Sequence, residues 1–204
     1  MMELIDRILR PHLKDFQAYS SARNEYTGKK GVFLDANENP FGSAAGGNWN
    51  RYPDPNQQSL KRAITGIKAM DPANTFIGNG SDEAIDLLIR AFCEPGKDQV
   101  MIFPPTYGMY GVSARINHAG IQEVSLTDEF QIDVPKALEA IDEHTKLIFV
   151  GSPNNPTGNK MNVDDIEALI KHTRGLVVVD EAYIDFSPEQ TFVRYVKNYD
   201  NLVV

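Results

Sequence analysis

Short apolar runs alternate with helical patterns through most of this chain, and no other feature constrains its fold as much. The runs read "QVMIF", "IQEVSL", "KLIFV", "LVVVD" and "NLVV" in chain order. Helical patterns such as "SDEAIDLLIRAFC" and "VDDIEALIKHT" precede or separate them. Strands that alternate with helices are joined by right-handed crossovers and form a largely parallel sheet. Because "LIFV" and "LVVV" are uninterrupted apolar runs, we expect the sheet to be covered on both faces.

Residues 1 to about 50 lack this alternation. A short helix from Met2 to about Lys14 is predicted there, followed by loops and the glycine-rich "SAAGGNWN". The regular pattern then begins, with "QQSLKRAITGIKAM" predicted as a helix, "TFIG" as a strand and "QTFVRYVKN" as a helix near the end. The sequence therefore predicts an N-terminal arm over residues 1–50 and a larger α/β domain over residues 51–204.

Charge and cysteine usage limit the classes of partner. The formal net charge is -8 and the pI about 5.0, which argues against nucleic acid or an anionic membrane surface as the main partner. The single cysteine, Cys93, excludes an intrachain disulfide and favours a reducing cytoplasm. No apolar run approaches the roughly 20 residues of a membrane span. We expect a cytoplasmic protein that binds small molecules.

The unusual loops all follow predicted strands. They read "GNGSDE", "PPTYGMY", "GSPNNPTG" and "DEAY". In a parallel sheet, ligands bind beyond the carboxyl ends of the strands, where these loops are expected to meet. Ser81 starts a predicted helix, whose free N–H groups and dipole favour an anion, although an ordinary N-cap explains the same residues.

Two further residues in these loops have a structural and a functional interpretation. Asp180 ends a buried strand, where its carboxylate either caps the chain or meets a cation or donor. The Asp-Glu pair also resembles a Walker-B metal site, but the phosphate loop that such a site needs is missing from the sequence. Tyr107 follows two prolines and either packs in the core or offers a ring face for stacking.

Taken together, these side chains match one kind of ligand: a flat cationic heteroaromatic ring with a phosphate and a phenolic oxygen. Ser81 suits the phosphate and Tyr107 the ring face. Asp180 suits the ring nitrogen, and Asn155 and Tyr183 suit the phenolic oxygen. That description fits pyridoxal 5'-phosphate, whose pyridinium nitrogen needs an acidic partner.

The motifs "SPNNPTG", "DEAYIDF", "LDANENPFG", "RYPDP" and "GNGSDEAIDLLIRAFCEPG" resemble those of the histidinol-phosphate aminotransferases, a family of fold-type-I pyridoxal-phosphate enzymes. The resemblance covers nearly all 204 residues. It implies a three-layer αβα large domain with a mainly parallel sheet and an N-terminal arm that contributes to a small domain. It also implies a homodimer, and a histidine-biosynthesis reaction that converts histidinol phosphate and 2-oxoglutarate to imidazole acetol phosphate and glutamate.

The resemblance also suggests roles for individual residues. Asn155 and Tyr183 match the donors to the cofactor's phenolic oxygen, Asp180 the partner of the pyridine nitrogen, and Tyr107 the stacking ring. The remaining matches are Ser81 and Asp82 at the phosphate, Tyr52 at the partner subunit's cofactor, and Tyr19 and Asn37 as substrate contacts. No metal site is expected.

One family feature has no match, the lysine that forms a Schiff base with the cofactor. In the family it follows the strand that corresponds to "NLVV", so we expect it just beyond Val204, and neither Lys160 nor Lys197 fits its place. The 204 residues are therefore expected to be an N-terminal portion, without the C-terminal small domain and inactive alone. Alternatives are a threonine-phosphate decarboxylase, an aromatic or other class I–II aminotransferase, and a non-catalytic nucleotide-binding α/β fragment.

Overall fold

The computed structural model describes residues 2–17, 19–20, 31–68, 70–188 and 191–204. The chain divides into two compact units. The first comprises Met1–Lys14 and Gly78–Val204, and the second comprises Asp15–Ile77. The predicted division into an arm over residues 1–50 and a domain over residues 51–204 stays a prediction.

The first unit is built on one five-stranded sheet. Its strands are β1 (Gln99–Ile102), β2 (Gly120–Glu123), β3 (Thr145–Gly151), β4 (Leu176–Asp180) and β5 (Leu202–Val203). They lie in the order β2-β1-β3-β4-β5, and every neighbouring pair is parallel. The predicted parallel sheet is therefore confirmed, and all carboxyl ends of its strands share one edge.

Helices lie on both faces of this sheet. They are α1 (Met2–Ile8), α3 (Ser81–Phe92), α4 (Met109–Ile116), α5 (Val134–Ala140) and α6 (Val163–His172), while α2 (Gln58–Lys68) belongs to the second unit. Because strand side chains alternate between the two faces, β3 supplies both cores. Ile148 packs with residues of α5 and α6, and Phe149 packs with residues of α1, α3 and α4. The result is the predicted arrangement of helix, sheet and helix in three layers.

Two predicted elements are wrong. The residues of "TFIG", 75–78, form no strand, because no strand of the described sheet pairs with them and a strand needs a hydrogen-bonded neighbour. The predicted helix "QTFVRYVKN" is reduced to a 3-10 turn over Phe192–Tyr195, and its first residue lies outside the described ranges. β-branched and aromatic side chains dominate this segment, and they favour an α-helix only weakly.

The second unit has its own local order. Glu38, from "LDANENPFG", accepts hydrogen bonds from Arg51 Nη1 at 2.8 Å and from the backbone N–H of Tyr52 at 2.7 Å. The carboxylate of Glu38 thus connects the motif "LDANENPFG" to the motif "RYPDP", which lies further along the chain. Asp54 accepts from the backbone N–H of Gln58, the first residue of α2, at 2.9 Å.

None of the helices in the described ranges is long and apolar enough to cross a membrane.

Cys93 is buried and free, and burial raises the pKa of its thiol to about 12. The thiol is therefore protonated, and unreactive as a nucleophile, at neutral pH.

Candidate functional site

A cleft of about 100 Å³ opens at the carboxyl edge of the sheet. The loops after β1, β3 and β4 and the start of α3 form its walls. The lining residues are Ser81, Tyr107, Tyr110, Gly151, Pro153, Asn155, Asp180, Ala182 and Tyr183. A larger cavity of about 590 Å³ shares Pro153, Asn155 and Tyr183 with the cleft. Five predicted cofactor residues therefore surround one space.

Asp180 is the last residue of β4, in register with Gly151 of β3. Its Oδ1 accepts a hydrogen bond from the backbone N–H of Ala182 at 3.0 Å, and its Oδ2 accepts one from the Tyr110 hydroxyl at 2.8 Å. Two neutral donors thus fix the orientation of the carboxylate. Since each carboxylate oxygen has two acceptor positions, both oxygens keep capacity for a ligand.

Tyr110 is the residue that sequence reasoning missed. It is 1% exposed, stacks on Phe149 with ring centroids 4.9 Å apart, and meets the Tyr107 ring edge-on at 5.6 Å. Burial, together with the nearby charge of Asp180, raises its pKa far above the ordinary value. The hydroxyl therefore stays protonated and donates to Asp180. The available signal was only its place beside Tyr107, in the segment that follows β1.

Tyr107 and the start of α3 form the wall opposite the β4 loop. Gly80 precedes the helix with a φ of 80°, a left-handed conformation that favours glycine. Ser81 lines the cleft, whereas the carboxylate of Asp82 accepts a hydrogen bond from the Tyr107 hydroxyl at 3.1 Å. Desolvation and this hydrogen bond raise the pKa of Tyr107. The side chain of Asp82 therefore orients the ring of Tyr107. Of the groups of Asp82, the backbone N–H is the one that can donate to an anion.

The loop "SPNNPTG" presents two adjacent asparagines with different environments. Asn155 lines both the cleft and the larger cavity. Asn154 is 3% exposed, and its amide is hydrogen-bonded within the protein. Tyr183, on the loop after β4, lines the same two cavities and is 47% exposed. Of the two asparagines, only Asn155 lines the cleft, and it does so together with Tyr183.

Three predicted residues lie in the second unit. Tyr52 is exposed, and its backbone is held by Glu38. Tyr19 and Asn37 are exposed as well. Their predicted roles, at a partner's cofactor and at the substrate, stay predictions.

The Asp-Glu pair does not form a metal site of the Walker-B kind. The carboxylate of Glu181 accepts hydrogen bonds from the Thr191 hydroxyl and, at 2.7 Å, from the backbone N–H of Phe192. It anchors the 3-10 turn and is absent from the cleft lining. Within the described ranges, no group of three or more His, Cys, Asp or Glu side chains is placed to hold a metal ion.

None of the described lysines lines the cleft. Lys160 lines only the larger cavity, and Lys197 lies just after the 3-10 turn and before β5. The cleft thus has an acceptor for a cationic ring nitrogen, a ring face, and neutral amide and phenol groups. It has no amine among the residues that the structure describes.

Known proteins resemble this chain in sequence and in structure. The family model for aminotransferase class I and II matches residues 22–204. A histidinol-phosphate aminotransferase from Cytophaga hutchinsonii is 54% identical over 200 residues, which is 98% of this chain and 58% of that protein. The chain thus spans little more than half of this relative.

Solved structures share the fold at lower identity. The histidinol-phosphate aminotransferase from Clostridium acetobutylicum matches with a TM-score of 0.66 and 27% identity, over 74% of this chain and 45% of that one. N-Succinyldiaminopimelate aminotransferase from Mycobacterium tuberculosis matches with a TM-score of 0.59 and 26% identity, over 66% and 38%. Enzymes named for different substrates therefore share this architecture.

Proposed function

Because the chain belongs to the class I and II aminotransferase family, we propose that it is part of a pyridoxal-phosphate enzyme that transfers an amino group from histidinol phosphate to 2-oxoglutarate. The products are imidazole acetol phosphate and glutamate, in histidine biosynthesis. The 54% identity to a relative of that name supports the substrate, as do the motifs "LDANENPFG" and "RYPDP".

The single observation that supports the cofactor best is the shared cleft of Asp180, Asn155, Tyr107 and Tyr183. The chemistry of this set fits pyridoxal phosphate. A carboxylate held by neutral donors attracts a protonated ring nitrogen, and an amide and a phenol suit a phenolic oxygen. The N-terminus of α3, a helix of 12 residues, offers N–H groups to a phosphate.

When bound, the cofactor supplies an electron sink for the bonds at the substrate Cα. The protein determines how effective that sink is. Asp180 would keep a proton on the ring nitrogen, and Tyr110 holds Asp180 in its orientation. Tyr107 would offer its ring to the cofactor, and Asn155 and Tyr183 would donate to the phenolic oxygen. Nucleotide binding is the weaker alternative, because Glu181 is engaged elsewhere and the family assignment opposes it.

The proposal includes three further parts. The lysine that would bind the cofactor covalently is proposed to lie outside these 204 residues, which would then be inactive alone, and the 58% coverage of the Cytophaga hutchinsonii relative is compatible with that. The enzyme is proposed to be a homodimer, on the ground that Tyr52 in "RYPDP" resembles a residue that reaches the partner subunit's cofactor. It is cytoplasmic, in keeping with the single buried cysteine.

The substrate assignment is tested with the intact protein that contains this chain. We expect amino transfer from histidinol phosphate to 2-oxoglutarate, with a higher kcat/KM than for aromatic or branched amino acids. Borohydride reduction and peptide mapping are expected to find the modified lysine outside the 204 residues. A preference for other amino acids, or decarboxylation of threonine phosphate, would refute the substrate. Stoichiometric labelling of one lysine within the chain would refute its placement.

Tyr110→Phe is expected to lower turnover of the intact enzyme by at least about tenfold, because a hydrogen bond to a charged group contributes about 1.5–3 kcal/mol. Phenylalanine preserves the stacking on Phe149 and removes only the bond to Asp180. Steady-state kinetics measure the effect. The control is Tyr195→Phe, which removes a hydroxyl bonded to Arg194 outside the cleft lining and should leave turnover unchanged. Equal turnover of both variants would contradict the role of Tyr110.

A further inference from the structure

The side chain of Asn154 forms three hydrogen bonds within the protein. Its Nδ2 donates to the backbone carbonyl of Pro105 at 2.9 Å and to Thr157 Oγ1 at 2.7 Å. Its Oδ1 accepts from Thr106 Oγ1 at 3.0 Å. Both donor hydrogens and one acceptor position of the amide are therefore used. Since the residue is 3% exposed, water cannot readily replace these partners.

These bonds join two loops that are distant in sequence. Pro105 and Thr106 belong to the loop after β1, which continues directly into Tyr107. Thr157 belongs to the loop after β3, which contains Asn155. Backbone bonds brace that loop from within, because the N–H of Asn154 donates to the carbonyl of Asn159 and the N–H of Gly158 donates to the carbonyl of Asn154, each at 2.8 Å.

The end of β3 is shaped to accommodate this amide. A Cβ on Gly151 would lie 3.0 Å from Asn154 Oδ1 and 3.6 Å from the Tyr110 hydroxyl oxygen. The shorter of these distances is tighter than ordinary van der Waals contact. Glycine at this position therefore leaves room for Asn154 beside the cleft.

We propose that Asn154 is a positioning residue, which locks the loops of residues 104–107 and 152–159 together so that Tyr107 and Asn155 face one ligand in a fixed relative geometry. The ligand part rests on the proposed function. Asn154 lines the larger cavity but not the cleft, so it acts on a ligand in the cleft through Tyr107 and Asn155. Two loops held by a buried amide that uses both donor hydrogens keep their arrangement before a ligand arrives, which reduces the entropy cost of binding.

The test compares three variants of the intact protein that contains the chain. Asn154→Ala removes all three bonds, and Thr106→Val removes one of them with little change of shape. The control is Asn201→Ala, which removes an amide bonded to the carbonyls of Ile170 and Gly175 at the amino end of β5. Two readouts are used: amide hydrogen exchange in the two loops and the Kd of pyridoxal phosphate.

For Asn154→Ala we expect faster exchange at the amides of both loops, Thr106–Gly108 and Asn154–Gly158, and a Kd about tenfold higher. Thr106→Val should change both readouts in the same direction by less. Asn201→Ala should lower Tm and leave both readouts unchanged, which separates positioning from general stability. If Asn154→Ala fails to fold, the proposal is tested by the hydrogen exchange and the Kd of Thr106→Val.

Two results for Asn154→Ala would overturn the proposal: faster exchange confined to residues 152–159, or a Kd within about twofold of the wild-type value. Loss of even one net hydrogen bond is expected to change the Kd by about twofold or more. Absence of pyridoxal-phosphate binding by the wild-type protein would instead refute the proposed function. In that case hydrogen exchange alone tests whether Asn154 holds the two loops together. Faster exchange in both loops of Asn154→Ala supports this connection, and a change in one loop only refutes it.

Discussion

Replacing Asp180 with alanine is expected to lower the turnover of the intact enzyme by at least about 10²–10³-fold, the usual cost of one group that stabilises developing charge. The effect should be at the upper end of that range or beyond it. Under the proposed function, the carboxylate would stabilise transition-state charge and would also determine whether the ring nitrogen stays protonated. Its loss would therefore weaken the electron sink in every turnover.

Three measurements distinguish this role from a structural one. Asp180→Asn keeps the size of the side chain and should lose nearly as much activity, because an amide does not hold a proton on the ring nitrogen. Asp142→Ala removes a carboxylate that accepts hydrogen bonds from His144 and Thr145 near the amino end of β3, and it should leave kcat unchanged. A loss below about tenfold for Asp180→Ala, well under the usual single-group effect, would show that Asp180 is structural.

Gly175→Ala is expected to destabilise the first unit by about 3 kcal/mol or more, at or beyond the upper end of ordinary overpacking. Gly175 directly precedes β4, and a Cβ there would lie 2.3 Å from the backbone oxygen of Lys146 and 2.7 Å from that of Thr145. Both atoms belong to the neighbouring strand β3, so no side-chain rotation relieves the overlap. The two central strands would have to separate.

Thermal and urea unfolding measure this loss. For a chain of this length, about 3 kcal/mol corresponds to a decrease in Tm of roughly 6–12 °C. Gly66→Ala is the matched control, because Gly66 lies inside α2 and a Cβ added there would have no atom within 4 Å. Alanine there should be neutral or stabilising by up to about 1 kcal/mol, since it favours a helix. Equal stability of the two variants would contradict the close packing at Gly175.

The residues that line the cleft were largely predictable from the sequence, because loops that follow parallel strands meet at one edge of the sheet. Ser81, Tyr107, Asn155, Asp180 and Tyr183 all line it. The position of Asp82 was predictable, but the partner of its side chain was not. Its carboxylate bonds to Tyr107, 25 positions along the chain, and no local pattern encodes such a pair.

Most of the elements and their order were predictable from the amino-acid sequence, since hydrophobic periodicity reports which face of each segment is buried. The sequence by itself also determined the parallel sheet and the set of loops at its carboxyl edge. The long-range side-chain contacts were visible only in the folded chain: Tyr110 meets Asp180 across 70 positions, and Asn154 meets Pro105 across 49. The tertiary structure also decided against a strand at residues 75–78, because strand formation depends on a pairing partner. Periodicity is a property of one segment, whereas these contacts depend on how separate segments pack.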